Sequence, residues 1–355
     1  MSHVDAPPLG LIAEEHVDAL TAGANLLGSG GGGNVALAYQ LLRQAVRRRP
    51  VVVRRAADLP PDALVVHVGV VGGPDVLAER LIDPRDMATA AHAVAERVGG
   101  RVDAVGIIEI GGLNGLAGVV AAGELGLPVV DGDLMGRAFP SINKTTMALA
   151  GGSAAPMGVV GPAGDTVLVT KSSAALAERV LLSTAGAMGG AGALALYPTT
   201  AAFLAEAGVV GSLSACVALG AAYGEFPRTQ VAALAEHLGG TFLFEGRVDE
   251  IRPRDGALPG SITVTDRVAG SAARIDLLEE FLAVTVDGVT RACTPDVIVA
   301  LDPTSGGVLS VGQVRPGQLL ALVTLRALHA WPPEADAVVG PRAFGLDLDL
   351  EETVR

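Results

Sequence analysis

Between residues 51 and 169, short and nearly unbroken apolar runs alternate with longer stretches in which apolar residues recur every three or four positions. The runs are VVV (51–53), ALVVHVGVV (63–71), AVGIIEI (104–110), PVVDGD (128–133) and VGPAGDTVLVT (160–170), and the helical spacing falls at 75–81, 87–98 and 115–124. Strands that are apolar on both faces, separated by helices, predict an α/β domain built on a mostly parallel sheet with both faces covered.

From about Ala201 the pattern changes. GSLSACVALGAAYG and FPRTQVAALAEHLGG keep helical spacing, whereas TFLFEGRVDEI, GSITVTD, FLAVTVDGVTRAC, DVIVALD and QLLALVTL read as strands broken by turn residues. Asp287-Gly288 between FLAVTV and VTRAC is a strong two-residue hairpin signal. The expected second domain is therefore β-rich α+β. The boundary lies between 171 and 201, and a division into 1–172 and 173–355 is adopted.

One stretch fits neither pattern. LLGSGGGGN (26–34) satisfies G-x-G-x-x-G, but a dinucleotide site needs a strand before the glycines, and residues 11–25 place Val17, Leu20 and Ala24 at helical spacing. A phosphate loop also fails, because Asn34-Val35 stands where Lys-Ser or Lys-Thr is required. No nucleotide is expected. Asn34 is instead a good N-cap for a helix over 35–48. Gly30, Gly31, Gly32, Gly33 and Asn34 together read as a helix N-terminus with backbone N–H groups that can hold an anion or a carbonyl oxygen.

Composition removes several functions. The 355 residues carry a net charge of −13, with 50% hydrophobic and only 3% aromatic residues, which disfavours nucleic acid and anionic membrane as partners. No apolar run reaches the length of a membrane span, and residues 1–10 lack the pattern of a signal peptide. Two cysteines, Cys216 and Cys293, provide no disulfide framework, which fits a cytoplasmic protein. The hydrophobic excess suggests a homo-oligomer.

In an open parallel sheet, ligands lie beyond the carboxyl ends of the strands, and the corners there are polar in this chain. The run at 63–71 leads to Gly73; AVGIIEI holds Glu109 and leads to Gly112 and Asn114; PVV leads to Asp131, Asp133 and Arg137. Glu109, Asp131 and Asp133 are candidates for a general base or for metal ligation, with His67 as a further ligand or base. Asn114 suits an amide-like ligand, and Arg137 suits a carboxylate. Structural alternatives stay open: Glu109 as a buried partner of Arg137, Asp133 as a cap, His67 as a core histidine.

Together, LLGSGGGGN, VGGPDVLAER, EIGGLNG, LPVVDGDLMGRAFP, GSLSACVALGAA, LFEGRVDEI, TPDVIVALDPTSG and GPRAFGLDLD resemble, in order and spacing over nearly the whole chain, the S-methyl-thiohydantoin desulfurase-like family. The resemblance implies two domains and a small-molecule substrate of the five-membered cyclic amide, imide or thiohydantoin class. It carries over Gly30 to Gly33, Gly73-Pro74 with Glu79, Asn114, Asp131, Asp133, Gly136-Arg137 and Pro140. Two departures stand out: Asn34 where the family usually has an acid, and Glu279-Glu280 where it usually has Asn-Glu.

Three functions follow as expectations. The first is hydrolysis, desulfuration or ring closure by Asp131, Asp133, Glu109 and Arg137, with Gly30 to Asn34, Gly73 and Asn114 binding substrate and a divalent metal such as Zn on His67, Asp131 and Asp133 as an option. The second is a lyase or cyclase of a biosynthetic pathway. The third is a non-catalytic partner of a hydantoinase- or oxoprolinase-like subunit.

Overall fold

The computed structural model describes residues 6–79, 83–256 and 258–348. Its first sheet runs, in spatial order, β1 (Leu11–Ile12), β2 (Val51–Arg54), β5 (Val129–Val130), β4 (Ala104–Ile107), β3 (Leu64–Gly72), β9 (Ala191–Thr200), β7 (Met157–Val160) and β8 (Thr166–Val169). Contacts β2/β5, β5/β4 and β4/β3 are parallel; β1/β2, β3/β9, β9/β7 and β7/β8 are antiparallel.

The expected mostly parallel sheet is thus corrected to a mixed one. Burial on both faces holds for β3, β4 and β5 but not for β2 or β8, whose residues are partly exposed, and it carries no information about strand direction. β9 inserts antiparallel beside β3, and its burial pattern is as continuous as that of a parallel strand. That strand lies beyond residue 173, so the second half of the chain completes the first sheet.

A two-stranded ribbon joins β6 (Gly132–Asp133) to β10 (Val209–Val210). The second large sheet is antiparallel throughout, in the order β15 (Val289–Cys293), β14 (Phe281–Val286), β13 (Ser271–Leu277), β12 (Gly260–Asp266), β11 (Thr241–Arg252), β18 (Leu319–Leu325), β16 (Val297–Leu301), β17 (Val308–Leu309). It curls so that β14 touches β16. Asp287-Gly288 makes the expected turn between β14 and β15, both residues having left-handed φ (49° and 84°).

Helices follow the apolar spacing. The helix Val17–Leu27 buries Val17, Leu20 and Ala24 and crosses closely on the helix Ser212–Glu225, where Gly23 meets Cys216 and Gly220 meets Ala19; that second helix is apolar almost all round. Asn34 caps the helix Val35–Arg48 as expected, its Oδ1 accepting from Ala36 N at 3.0 Å. The helix predicted at 75–81 is observed as Pro74–Glu79, and its end at Leu81 lies outside the described residues. No helix among the described residues is long and apolar enough to cross a membrane.

Candidate active site

The corner after β4 and the segment after β6 meet the glycine loop, which on its other side touches β14 and β16 of the second sheet. Helix Val17–Leu27 ends at Gly28, after which Ser29, Gly30, Gly32 and Gly33 all take positive φ (49°, 86°, 72° and 80°). That path brings the loop backbone against two partners. Ser29 Oγ donates to Ile298 O (2.8 Å) and accepts from Ile298 N (3.1 Å), Phe281 N donates to Ser29 O (2.8 Å), and Val311 N donates to Gly30 O (2.8 Å). On the other side Leu113 N donates to Gly32 O at 2.8 Å. The glycines are a joint between the two sheets. The Phe281 ring occupies the place of a Cβ on Gly30, and the Glu280 carboxylate that of one on Gly31.

Two buried glutamates face this loop. Glu280, at the start of β14, is 2% exposed; its Oε1 accepts from Gly32 N (3.3 Å), and its Oε2 is buried without a hydrogen-bond partner. Burial, reinforced by the negative charge of Glu109, pushes its pKa up to about 8. Glu109, just past β4, accepts from Asn114 Nδ2 (2.7 Å) and from Phe139 N (3.4 Å). Burial raises it to about 7 against the pull of Asn114. Asn114 Oδ1 also accepts from Val70 N at 2.8 Å, tying the end of β3 to Glu109.

Arg137 supplies the positive charge. It is 1% exposed and held down to about 10 by burial, so it remains a cation at neutral pH. The alternative in which Glu109 is a buried ion-pair partner of Arg137 is not found among the described residues. The guanidinium instead donates to the carbonyls of Ala138 (2.9 Å), Phe281 (3.2 Å) and Asp296 and lies over the Phe139 ring, 4.9 Å from its centre. Three carbonyls use three of the five donors of an arginine.

Asp131 and Asp133 are placed differently from one another. Asp131 accepts from Ser214 N (2.9 Å) and Ser214 Oγ (2.6 Å), capping the first turn of helix Ser212–Glu225. Asp133 Oδ2 gathers Ile110 N (2.9 Å), Met135 N (3.0 Å) and Gly136 N (2.8 Å), which fixes the turn leading to Arg137. Burial raises Asp133 to about 6 against the pull of the Gly136, Met135 and Ile110 N–H groups, and its Oδ1 is buried without a hydrogen-bond partner. Replacing Asp131 by Ala leaves buried donors unpaired and should cost about 2–3 kcal/mol. A urea midpoint with the wild-type m-value would measure this, and a loss within roughly 0.5 kcal/mol would show that the cap is dispensable.

His67 does not join the aspartates. It is fully buried in β3 beneath Gly106, with Nδ1 2.9 Å from Tyr197 O, and desolvation lowers its pKa to about 4, so it is neutral. Among the described residues no three His, Cys, Asp or Glu side chains form a group that could hold a metal ion, so His67, Asp131 and Asp133 do not form the expected set. The neutral imidazole sits in the strand as a core side chain. Gly73 is exposed at the start of helix Pro74–Glu79, and Glu79 is exposed at that helix's last residue; Asn34 points to solvent as a cap.

Sequence reasoning missed Glu280 and an aromatic wall. The Phe139 ring stacks on Phe344 (6.5 Å between centres) and meets the edge of Trp331 (6.1 Å), which in turn meets His329 (5.1 Å). In a chain with one Trp, three Tyr and seven Phe this is a concentration of rings. Its members come from three separate segments, so no local pattern announces it. Glu280 did carry one signal: it is the residue of Glu279-Glu280 that keeps the family's acid.

Fold and site define a two-part α/β and antiparallel-β protein with buried carboxyl groups at a glycine joint. The S-Me-THD-like N-terminal domain model matches residues 15–171 and the C-terminal domain model residues 171–353; the chain belongs to the S-Me-THD-like family. A crystal structure of a protein from Chromobacterium violaceum is similar, with a TM-score of 0.77 and 25% identity over 89% of this chain and 92% of that one. No curated protein matches.

Proposed function

We propose that the chain is an enzyme that opens, desulfurates or closes a five-membered cyclic amide, imide or thiohydantoin ring. The observation that carries this reading is the pair Glu109 and Glu280: two buried carboxyl groups that sense each other's charge and titrate near neutrality, one with an unpartnered oxygen, both beside the cation of Arg137. Each such group disfavours a second charge on the other, so the pair can hold one proton and one charge together, which supplies an acid and a base.

In the opening direction Glu109 takes a proton from water as its oxygen bonds to the ring carbon. For ring opening the C–N bond of the amide then breaks while Glu280 protonates the leaving nitrogen; for desulfuration Glu280 protonates the sulfur and recovers a proton from the added hydroxyl as the exocyclic C–S bond breaks, and Glu109 gives its proton to the departing sulfur, so that a carbonyl forms and hydrogen sulfide leaves. Loop N–H groups and the cation of Arg137 stabilise the oxyanion that forms between these steps. Asp133 positions Arg137, Asn114 positions Glu109, and Asp131 holds the adjoining helix. Ring closure is the same path reversed. Membership of the S-Me-THD-like family supports the ring class.

Trp331 is the only tryptophan, so its emission reports on the wall beside Phe139. A panel of hydantoins, thiohydantoins, cyclic imides and their opened forms should contain one class that is turned over and that saturates the Trp331 signal. Its kcat/KM should be bell-shaped with limbs near pH 7 and 8. No turnover and no saturable Trp331 response across the panel would overturn the reading.

A further inference from the structure

β8 is the last strand of the first sheet, and its outer edge has no partner strand among the described residues. The stretch around it, Asp165-Thr166-Val167-Leu168-Val169-Thr170-Lys171, is a palindrome about Leu168, with opposite charges at its two ends. Laid antiparallel on a second copy, it sets Leu168 against Leu168, each Val167 against Val169, each Thr166 against Thr170 and each Asp165 against Lys171.

The backbone agrees with that register. Gly161 N donates to Asp165 O at 2.9 Å, and β7 and β8 pair Val160 with Thr166, Val159 with Val167 and Met157 with Val169. By the alternation of antiparallel ladders, Asp165, Val167 and Val169 spend their N–H and C=O groups on β7. Thr166, Leu168 and Thr170 therefore aim theirs outward. A two-fold axis at Leu168 needs those three to face the partner, and about six backbone hydrogen bonds result. A register shifted by one residue would meet the inward-facing set.

The flank is equally unguarded. Natural edges are commonly blunted by a proline, an inward charge or a bulge, and β7/β8 shows no register shift. Val167 (39% exposed) and Leu176 (44% exposed) line a groove of about 590 Å³ between β8 and the helix Ala174–Ala187, with Arg179 and Val180. Neither Asp165 nor Lys171 enters an ion pair among the described residues. We infer that β8 pairs edge to edge with β8 of a second copy, about a two-fold axis at Leu168, making a continuous sixteen-stranded sheet with the two copies of helix Ala174–Ala187 flanking the seam.

Sedimentation velocity of the full chain across roughly 1–100 μM, the range in which modest interfaces dissociate, should show a species of twice the chain mass. Lys171→Asp sets like charges opposite each other twice and should weaken association at least ~10-fold; adding Asp165→Lys restores the complement and should recover most of it. Thr166→Pro removes an outward N–H that β7 does not use, so it should give a folded monomer with an unchanged circular dichroism spectrum.

Register is read by oxidative cross-linking. Leu168→Cys should form a covalent dimer, because residues on the axis lie within disulfide reach of themselves. Thr166→Cys should not, while Thr166→Cys with Thr170→Cys should. A wild-type chain that is monomeric throughout, a dimer indifferent to both the charge reversal and Thr166→Pro, or cross-linking of Thr166→Cys but not Leu168→Cys would each overturn the proposal.

Discussion

Glu280→Gln is expected to lower turnover by at least ~100-fold while making the protein more stable at pH 8. The substitution keeps shape and an acceptor for Gly32 N but removes the proton that the unpartnered Oε2 holds. The sign of the stability effect follows from linkage. The carboxyl group titrates near its ordinary value of 4.5 when unfolded and at about 8 when folded. Between those values the folded chain binds a proton that the unfolded chain releases, so stability falls as pH rises through that window. The maximum slope is about 1.4 kcal/mol per pH unit for one proton, and Glu280→Gln should remove it. Urea unfolding at pH 5, 6.5 and 8 measures the slope, and turnover of the substrate found in the ring panel measures the rate. A variant that keeps both its rate and its pH slope would place the proton elsewhere.

The second large effect belongs to Gly112→Ala. Gly112 has φ 72°, and a Cβ there would sit on the carbonyl oxygen of Gly32, a backbone atom that cannot swing aside. Gly164 has a similar φ of 85° and open space around its missing Cβ. Gly164→Ala therefore pays only the left-handed strain, about 1–2 kcal/mol, whereas Gly112→Ala should lose more than ~4 kcal/mol and leave little folded protein. Equal urea midpoints for the two variants would show that the loop and the Gly112 corner can separate without cost.

What the chain disclosed before its structure was known depended on how local each cause is. The Asn34 cap and the Asp287-Gly288 turn are set within a few residues, and both are found where expected. The corners carrying Glu109, Asn114 and Arg137 stood out as polar, glycine-rich breaks after apolar runs, and in the folded chain Glu109 bonds Asn114 while Arg137 is buried. Strand direction was not legible, since β9 has the same apolar run whether it lies parallel or antiparallel to β3. Glu280 and Glu109 lie in different sheets, and only the folded loop makes them neighbours. His67 stood in an apolar run where a ligand and a core side chain look alike. In the structure it is buried, with Nδ1 on Tyr197 O and Nε2 without a partner.

The splice of Ser29 to Ile298 and of Gly30 to Val311 also orders events on the ribosome. The glycine loop is made before the segments that hold its path, Ser29 and Ile298 lying 269 residues apart. Until they emerge, the nascent chain carries its glutamates apart and an unsupported stretch of glycine, and no partial chain possesses the paired carboxyl groups. Joining segments so distant along the chain slows folding, because the intervening loop must close before those contacts form. The joint is thereby withheld until strands of both sheets have been made.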